Sequence, residues 1–173
     1  ASMGTDCYTT SLNSDGTELY LFKKDNYDGN IYVTTFKNGK WSAIVSLNRN
    51  INTKYYESHA AISSDGKKLY FTSNREGGLG ELDLWVSDKD QAGDWGVPVN
   101  LGNIVNTPYN EETPFISQDG LTLTFSSEGH GSIGGYDIFK SASAAGVWGK
   151  PVNIGYPIST TDDDLGFQPF DNG

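Results

Sequence analysis

Short runs in which apolar and polar residues alternate recur along the chain: TELYLF, NIYVTTF, SHAAIS, KKLYFTS, LDLWVSD, LTLTFSS and YDIFKSA. A period of two predicts strands that present one face to a core and the other away from it. Tyr, Phe, Trp, Val, Ile and Thr are frequent in these runs, and such side chains fit a pleated surface. No stretch carries a 3.6-residue period, so an all-β fold is expected. In the middle of the chain four strands are predicted, at 58–63, 67–73, 82–88 and 95–101.

These runs belong to a repeat. Asp15, Asp65 and Asp119 sit in the turns SDG, SDG and QDG, 50 and 54 residues apart. Trp41, Trp95 and Trp148 keep the same rhythm, at 54 and 53 residues. Each tryptophan opens a similar segment: WSAIVSLNRNINT, WGVPVNLGNIVNT and WGKPVNIGYPIST. Four antiparallel strands in a unit of about 40–50 residues are the pattern of a propeller blade. One twisted sheet cannot bury both of its faces, and stacked neighbours bury them for one another.

The expected fold is therefore a β-propeller of three four-stranded antiparallel blades, at about 7–50, 57–104 and 111–157. Residues 1–6 read as a linker, and DLGFQPFDNG, within 163–173, as the first strand and turn of a further blade. Propellers close with about four to eight blades, so three make a partial propeller or one half of a six-bladed dimer. Open edges predict self-association of the isolated chain.

Charge narrows the partners. The net charge is −10 and the pI about 4.4, which repels nucleic-acid backbones and anionic membrane surfaces. No apolar run approaches the roughly 20 residues of a membrane-spanning helix. The single cysteine, Cys7, allows no intrachain disulfide and is diagnostic of no compartment.

Candidate chemistry is sparse. Asp15, Asp65 and Asp119 fall one per blade and read as turn caps rather than as a metal or catalytic ladder. Asp83 and Asp137 open third strands and read as backbone-bonding residues. The segment DNYDGN (25–30) resembles a calcium loop but lacks its alternating spacing and distant glutamate. EGHGSIGG (128–135) lacks the Lys-Ser/Thr of a phosphate loop, and His130 there reads as an exposed loop residue. With only His59 and His130, a three-histidine zinc site cannot be built in one chain. No metal site and no cofactor are expected, calcium being the one ion left open.

The loops that lead into the inner strands are the richest constellation: TKYYESH, TPYNEET and TTDDDLG. In a propeller they ring the mouth of the channel. They are expected to gather Tyr55, Tyr56, Glu57, His59, Tyr109, Glu111, Glu112, Asp163 and Asp164 at a funnel rim. Focused carboxylates attract cations or basic peptides, and tyrosines offer flat platforms for sugars or peptides. An ordinary solvated rim is the plain alternative.

SSDGKKLYFTSNREGGLGELDLWVSD and SQDGLTLTFSSEGHGSIGGYDIFKS resemble the WD-like repeats of TolB-type propellers. The segments PVNLG and PVNIG after tryptophan, with N-T-x-x-N-E, are similar to a PorE-like subset of the bacterial envelope. In that subset a propeller sits beside an OmpA-like peptidoglycan-binding domain. The first unit departs most, with KKDNYDGN in place of the glycine-rich loop and Asn30 in place of Asp83 and Asp137. The resemblance implies a non-catalytic binding or scaffold module with protein or glycan partners. It also implies a periplasmic or outer-membrane-associated address in a Gram-negative bacterium. A glycan-active enzyme and a propeller gating a peptidase are the alternatives.

Overall fold

In the computed structural model, which describes residues 7–25 and 28–169, every regular element is a β-strand and every pairing is antiparallel. The first sheet holds β1 (Cys7–Leu12), β2 (Glu18–Asp25), β3 (Asp28–Lys37), β4 (Lys40–Trp41) and β5 (Val45–Ser46). The second holds β6 (Glu57–Ile62), β7 (Lys68–Ser73), β8 (Asp83–Asp88) and β9 (Val99–Asn100). The third holds β10 (Glu111–Ile116), β11 (Thr122–Ser127), β12 (Asp137–Ala144), β13 (Val147–Trp148) and β14 (Val152–Asn153). The first four strands of each sheet run in chain order, β5 and β14 pair with β3 and β12, and the three sheets stand side by side as propeller blades.

The hairpin between the first two strands of each blade is made by the repeated turn. Gly16, Gly66 and Gly120 take φ near +70° (72°, 69° and 71°), a region glycine enters without a Cβ clash. The preceding aspartate caps the turn. Asp65 Oδ1 accepts from Ser63 Oγ (2.6 Å) and Lys67 N (3.1 Å), and Asp119 Oδ1 from Ser117 Oγ (2.6 Å) and Leu121 N (2.9 Å). Asp15 Oδ1 accepts from Thr17 N and Thr17 Oγ1. These bonds hold all three carboxyls below the ordinary carboxylate range.

The core lies between blades rather than within them. Tyr20 and Ile31 of blade 1 pack with Ile62, Leu69, Phe71, Trp85 and Trp95 of blade 2. Tyr70 and Leu84 on the other face of blade 2 pack with Ile116, Leu123, Phe125 and Phe139 of blade 3. Alternation along β7 sends Leu69 and Phe71 to one neighbour and Tyr70 to the other.

The fourth strand differs from the expectation. The sequence pattern predicts a strand over 95–101, but regular pairing is confined to Val99–Asn100, with one bridge from Trp95 to Lys89. A hydroxyl on the third strand interrupts the ladder in every blade. Thr34 Oγ1 donates to Ser42 O (2.9 Å), Ser87 Oγ to Gly96 O (2.8 Å) and Ser141 Oγ to Gly149 O (2.6 Å). Pro98 and Pro151, which have no N–H, follow in blades 2 and 3. The expected first strand of a fourth blade is also absent from residues 163–169. Residues 171–173, which would form its hairpin turn, lie outside the described residues, as do residues 1–6 and the centre of the candidate calcium loop, residues 26 and 27.

Because stability rests on the inter-blade faces, burial ranks the cost of truncation. Phe71 is 0% exposed, whereas Trp41 is 44% exposed and packs mainly on Phe36. Phe71→Ala is expected to cost about 3–5 kcal/mol and Trp41→Ala less than about 1 kcal/mol. Urea unfolding checks this, and equal losses would contradict it.

Candidate functional site

The segment leaving each fourth strand is pinned at both ends as it crosses to the next blade. At one end a side chain acts as an extra strand. Asn52 accepts from Ile31 N (2.8 Å) and donates to Ile31 O (2.7 Å). Asn106 does the same for Leu84 (2.8 and 3.0 Å), and Ser159, more weakly, for Ile138. At the other end a carboxylate closes a four-residue loop. Glu57 accepts from Thr53 N (2.9 Å) and Thr53 Oγ1 (2.6 Å), and Glu111 from Thr107 N (2.8 Å) and Thr107 Oγ1 (2.6 Å). Asp164 accepts from Thr160 N at 2.6 Å.

Glu57 and Glu111 are therefore not rim residues, because both are 0% exposed. Only a carboxylate's several acceptor sites satisfy a backbone N–H and two hydroxyls at once. Tyr55 and Tyr109 project from the outside of the same loops, with Tyr55 donating to Glu76 and Tyr109 exposed. Tyr56 turns inward against Phe22, ring centres 5.6 Å apart. Asp163 is exposed and accepts from Tyr136 N (3.1 Å).

The two buried glutamates sit on different floors. Ser73 Oγ (3.1 Å) and the Arg75 guanidinium (3.3 Å) lie under Glu57. Under Glu111 the serine remains, as Ser127 (2.8 Å), but Gly129 takes the place of the arginine. A Cβ on Gly129 would collide with the Thr107 side chain. Burial without a cation pushes the Glu111 carboxyl up to about 7, against hydrogen bonds from Thr107 and Ser127 that pull it down.

A second arrangement runs along the innermost strands, where β6 lies beside both β1 and β10. Each is bulged, at Thr9/Ser11, Ser58/Ala61 and Glu112/Phe115. The bulge puts His59 at φ 44° and Thr113 at φ 50°, a costly backbone region, most of all for β-branched threonine. Four side chains then join across three blades. Tyr8 Oη lies 2.9 Å from His59 Nε2. His59 Nδ1 lies 3.0 Å from Ser58 Oγ and 3.3 Å from Glu112 Oε2. Tyr136 Oη donates to Glu112 Oε1 (2.9 Å).

Burial would raise the Glu112 carboxyl, but hydrogen bonds from His59 and Tyr136 outweigh it and hold the group below its ordinary value. Burial, reinforced by Glu112, raises both tyrosine hydroxyls. Beside this row a cavity of about 280 Å³ is lined by Tyr8, Thr10, His59, Thr113 and Gln168, among others. Thr10 Oγ1 is buried there without a hydrogen-bond partner. Among the described residues no three His, Cys, Asp or Glu side chains cluster to hold a metal ion.

Sequence reasoning named His59 and Glu112 but missed Tyr8 and Tyr136. Tyr8, Ser58 and Glu112 stand at one register, seven residues before the turn aspartate of their blade, so the repeat itself carries the signal for Tyr8. Asp83 and Asp137 are buried at the starts of β8 and β12, taking N–H groups of the glycine-rich loop from Leu79, Gly80 and Ile133. His130 is not an exposed loop residue. It is half-buried, with its Nε2 2.8 Å from Val105 O and its ring against Phe125 and Phe139.

The fold is similar to that of parts of larger solved structures. TolB from Acinetobacter baumannii superposes with a TM-score of 0.57 and 16% identity, over 89% of this chain and 33% of that one. A putative TolB from Agrobacterium tumefaciens gives 0.60 and 16%, over 88% of this chain and 50% of that one. The fold is that of a TolB-type β-propeller. The chain spans a third to a half of the length of those two proteins. It also matches part of a prolyl endopeptidase, with a TM-score of 0.54 and 17% identity, over 86% of this chain and 20% of that one. No protein-family model and no curated protein matches the chain.

Burial gives Glu111 a distinctive pH response. Its folded value, about 7, lies above the ordinary 4.5, so the folded form holds the extra proton between those limits. The stabilisation is complete below about pH 4.5 and is lost as pH rises towards 7. Over that window the wild type is expected to lose stability relative to Glu111→Gln in urea unfolding. A constant difference would contradict the assignment.

Proposed function

We propose that this chain is a non-catalytic binding segment of a bacterial cell-envelope protein, periplasmic or outer-membrane-associated. It holds a protein or glycan partner at the channel end of its inner strands. The supporting observation is the row Tyr8–His59–Glu112–Tyr136, built by strained bulges and shared by three blades. Strain kept at one register of a repeat is characteristic of a surface shaped for contact. The row also suits binding better than proton transfer. Glu112 is held ionised by two donors, which makes it a weak base at neutral pH. The envelope address rests on the resemblance of the repeats to the TolB-type and PorE-like sequences.

A propeller that gates a peptidase is the second reading, favoured by the likeness to part of a prolyl endopeptidase. The two readings separate in one experiment. Peptidoglycan fragments and a basic peptide are titrated in turn, with the amide and aromatic signals of Tyr8, His59, Glu112 and Tyr136 followed by NMR. At least one probe is expected to shift them saturably. His59→Asn, which tolerates a positive φ, is expected to weaken that binding about tenfold. A chain whose row responds to neither probe, or that hydrolyses a fluorogenic peptide, overturns the binding reading.

A further inference from the structure

Blade 2 meets its two neighbours through clefts built on one plan, yet only one of them is filled. On the blade 1 side, Trp95 shares the core with Tyr20, Val33 and Leu47. Lys89, paired with Trp95 across its hairpin, holds its Nζ 4.8 Å from the indole centre and 3.4 Å from Glu18 of blade 1. Asn48 and Asn50 donate to Trp95 O at 2.8 and 2.7 Å. The space left over is about 280 Å³.

On the blade 3 side Trp148 stands in the place of Trp95, and Tyr70, Val86 and Leu101 in those of Tyr20, Val33 and Leu47. The groups that close the first cleft are all replaced. Ser143 pairs with Trp148 where Lys89 pairs with Trp95. Gly102 and Ile104 occupy the positions of Asn48 and Asn50. Lys68 occupies that of Glu18, and its charge is taken up by Asp88 at 2.5 Å. The result is an open cleft of about 540 Å³, within the roughly 300–1,000 Å³ of ligand sites.

The groups that face this cleft include the Asp65 and Asp119 carboxylates, the Tyr70 and Trp148 rings, and Lys68, whose ammonium is paired with Asp88. Asp65 and Asp119 line it, and each spends Oδ1 in its own turn. Among the described residues their Oδ2 atoms take no hydrogen bond. The Tyr20 hydroxyl donates to Glu18 at 3.0 Å, whereas that of Tyr70 has no such bond among the described residues. Burial, then the charges of Asp88 and Asp65, raise the Tyr70 hydroxyl. The Tyr70 and Trp148 rings meet edge to face at 6.3 Å. The first cleft draws from its own chain what such a place attracts, an alkyl stem and an ammonium over an indole.

We propose that the cleft between blades 2 and 3 binds a lysine side chain of a partner polypeptide, its ammonium facing Trp148, Tyr70 and the Asp65 and Asp119 carboxylates. The partner's lysine takes the position that Lys89 fills in the first cleft. This site is separate from the inner-strand row and stands or falls without it.

The test is an NMR titration of the whole chain with acetyl-Gly-Lys-Gly-amide and its norleucine counterpart. The Trp148 indole N–H is followed, assigned by its absence in Trp148→Leu. The lysine peptide is expected to shift that signal saturably, and the norleucine peptide to bind at least about tenfold more weakly. Ser143→Lys supplies the missing lysine from within and is expected to weaken peptide binding at least about tenfold, with melting temperature unchanged or raised. Should Ser143→Lys fail to fold, Trp148→Leu, which keeps apolar bulk but removes the ring, is expected to lose the same affinity. Equal binding of the two peptides, undiminished binding by the variants, or no saturable shift at Trp148 overturns the proposal.

Discussion

The buried carboxylate that closes each connector is the interaction on which the arrangement of blades depends. Glu57 and Glu111 open the inner strands of blades 2 and 3, yet their hydrogen bonds go to Thr53 and Thr107, at the ends of segments leaving the blades before. One residue earlier, Asn52 and Asn106 hold the third strand of the preceding blade. Two adjacent residues thus fasten consecutive sheets at a fixed separation. The apolar faces can then interlock at the density that makes their burial favourable. A carboxylate without these donors would be costly to bury, so the connector and the core require each other.

Repetition supplies the scaffold, and departures from repetition supply the chemistry. Where Arg75 becomes Gly129, a buried glutamate loses its cation and titrates near neutrality. At one register of the inner strands, Tyr8, Ser58 and Glu112 differ, and the difference lets a hydrogen-bonded row cross three blades. Where Lys89, Asn48, Asn50 and Glu18 give way to Ser143, Gly102, Ile104 and Lys68, an inter-blade cleft opens. In each case side chains at matched positions of the repeat alter charge or volume.

Much of this fold was legible in the chain. The alternation of KKLYFTS and LDLWVSD identifies strands because both faces of a blade are buried by neighbours and their apolar residues dominate. The SDG turns were legible because aspartate capping and a positive-φ glycine are local chemistry. The fourth strand was overextended because its interruption depends on a hydroxyl from another strand, Ser87 or Ser141, which no local pattern announces. The pattern places Glu57 and Glu111 at the rim because a glutamate in a polar loop carries no sign of burial. Their partners Thr53 and Thr107 stand four residues earlier, a spacing that acquires meaning only once the loop is known to close. Tyr136 lies in a glycine-rich loop, and its approach to Glu112 is purely tertiary.

Amide hydrogen exchange at Thr53 and Thr107 tests the account most directly, because these N–H groups lie in connectors outside any strand and are bonded only to the buried glutamates. If the connectors fasten the blades, both amides exchange only through global unfolding, as slowly as those of β7 and β11. Exchange as rapid as that of the turn amides at Ser64 and Gln118 would show that the connectors open independently. The blades would then be held by their apolar faces alone.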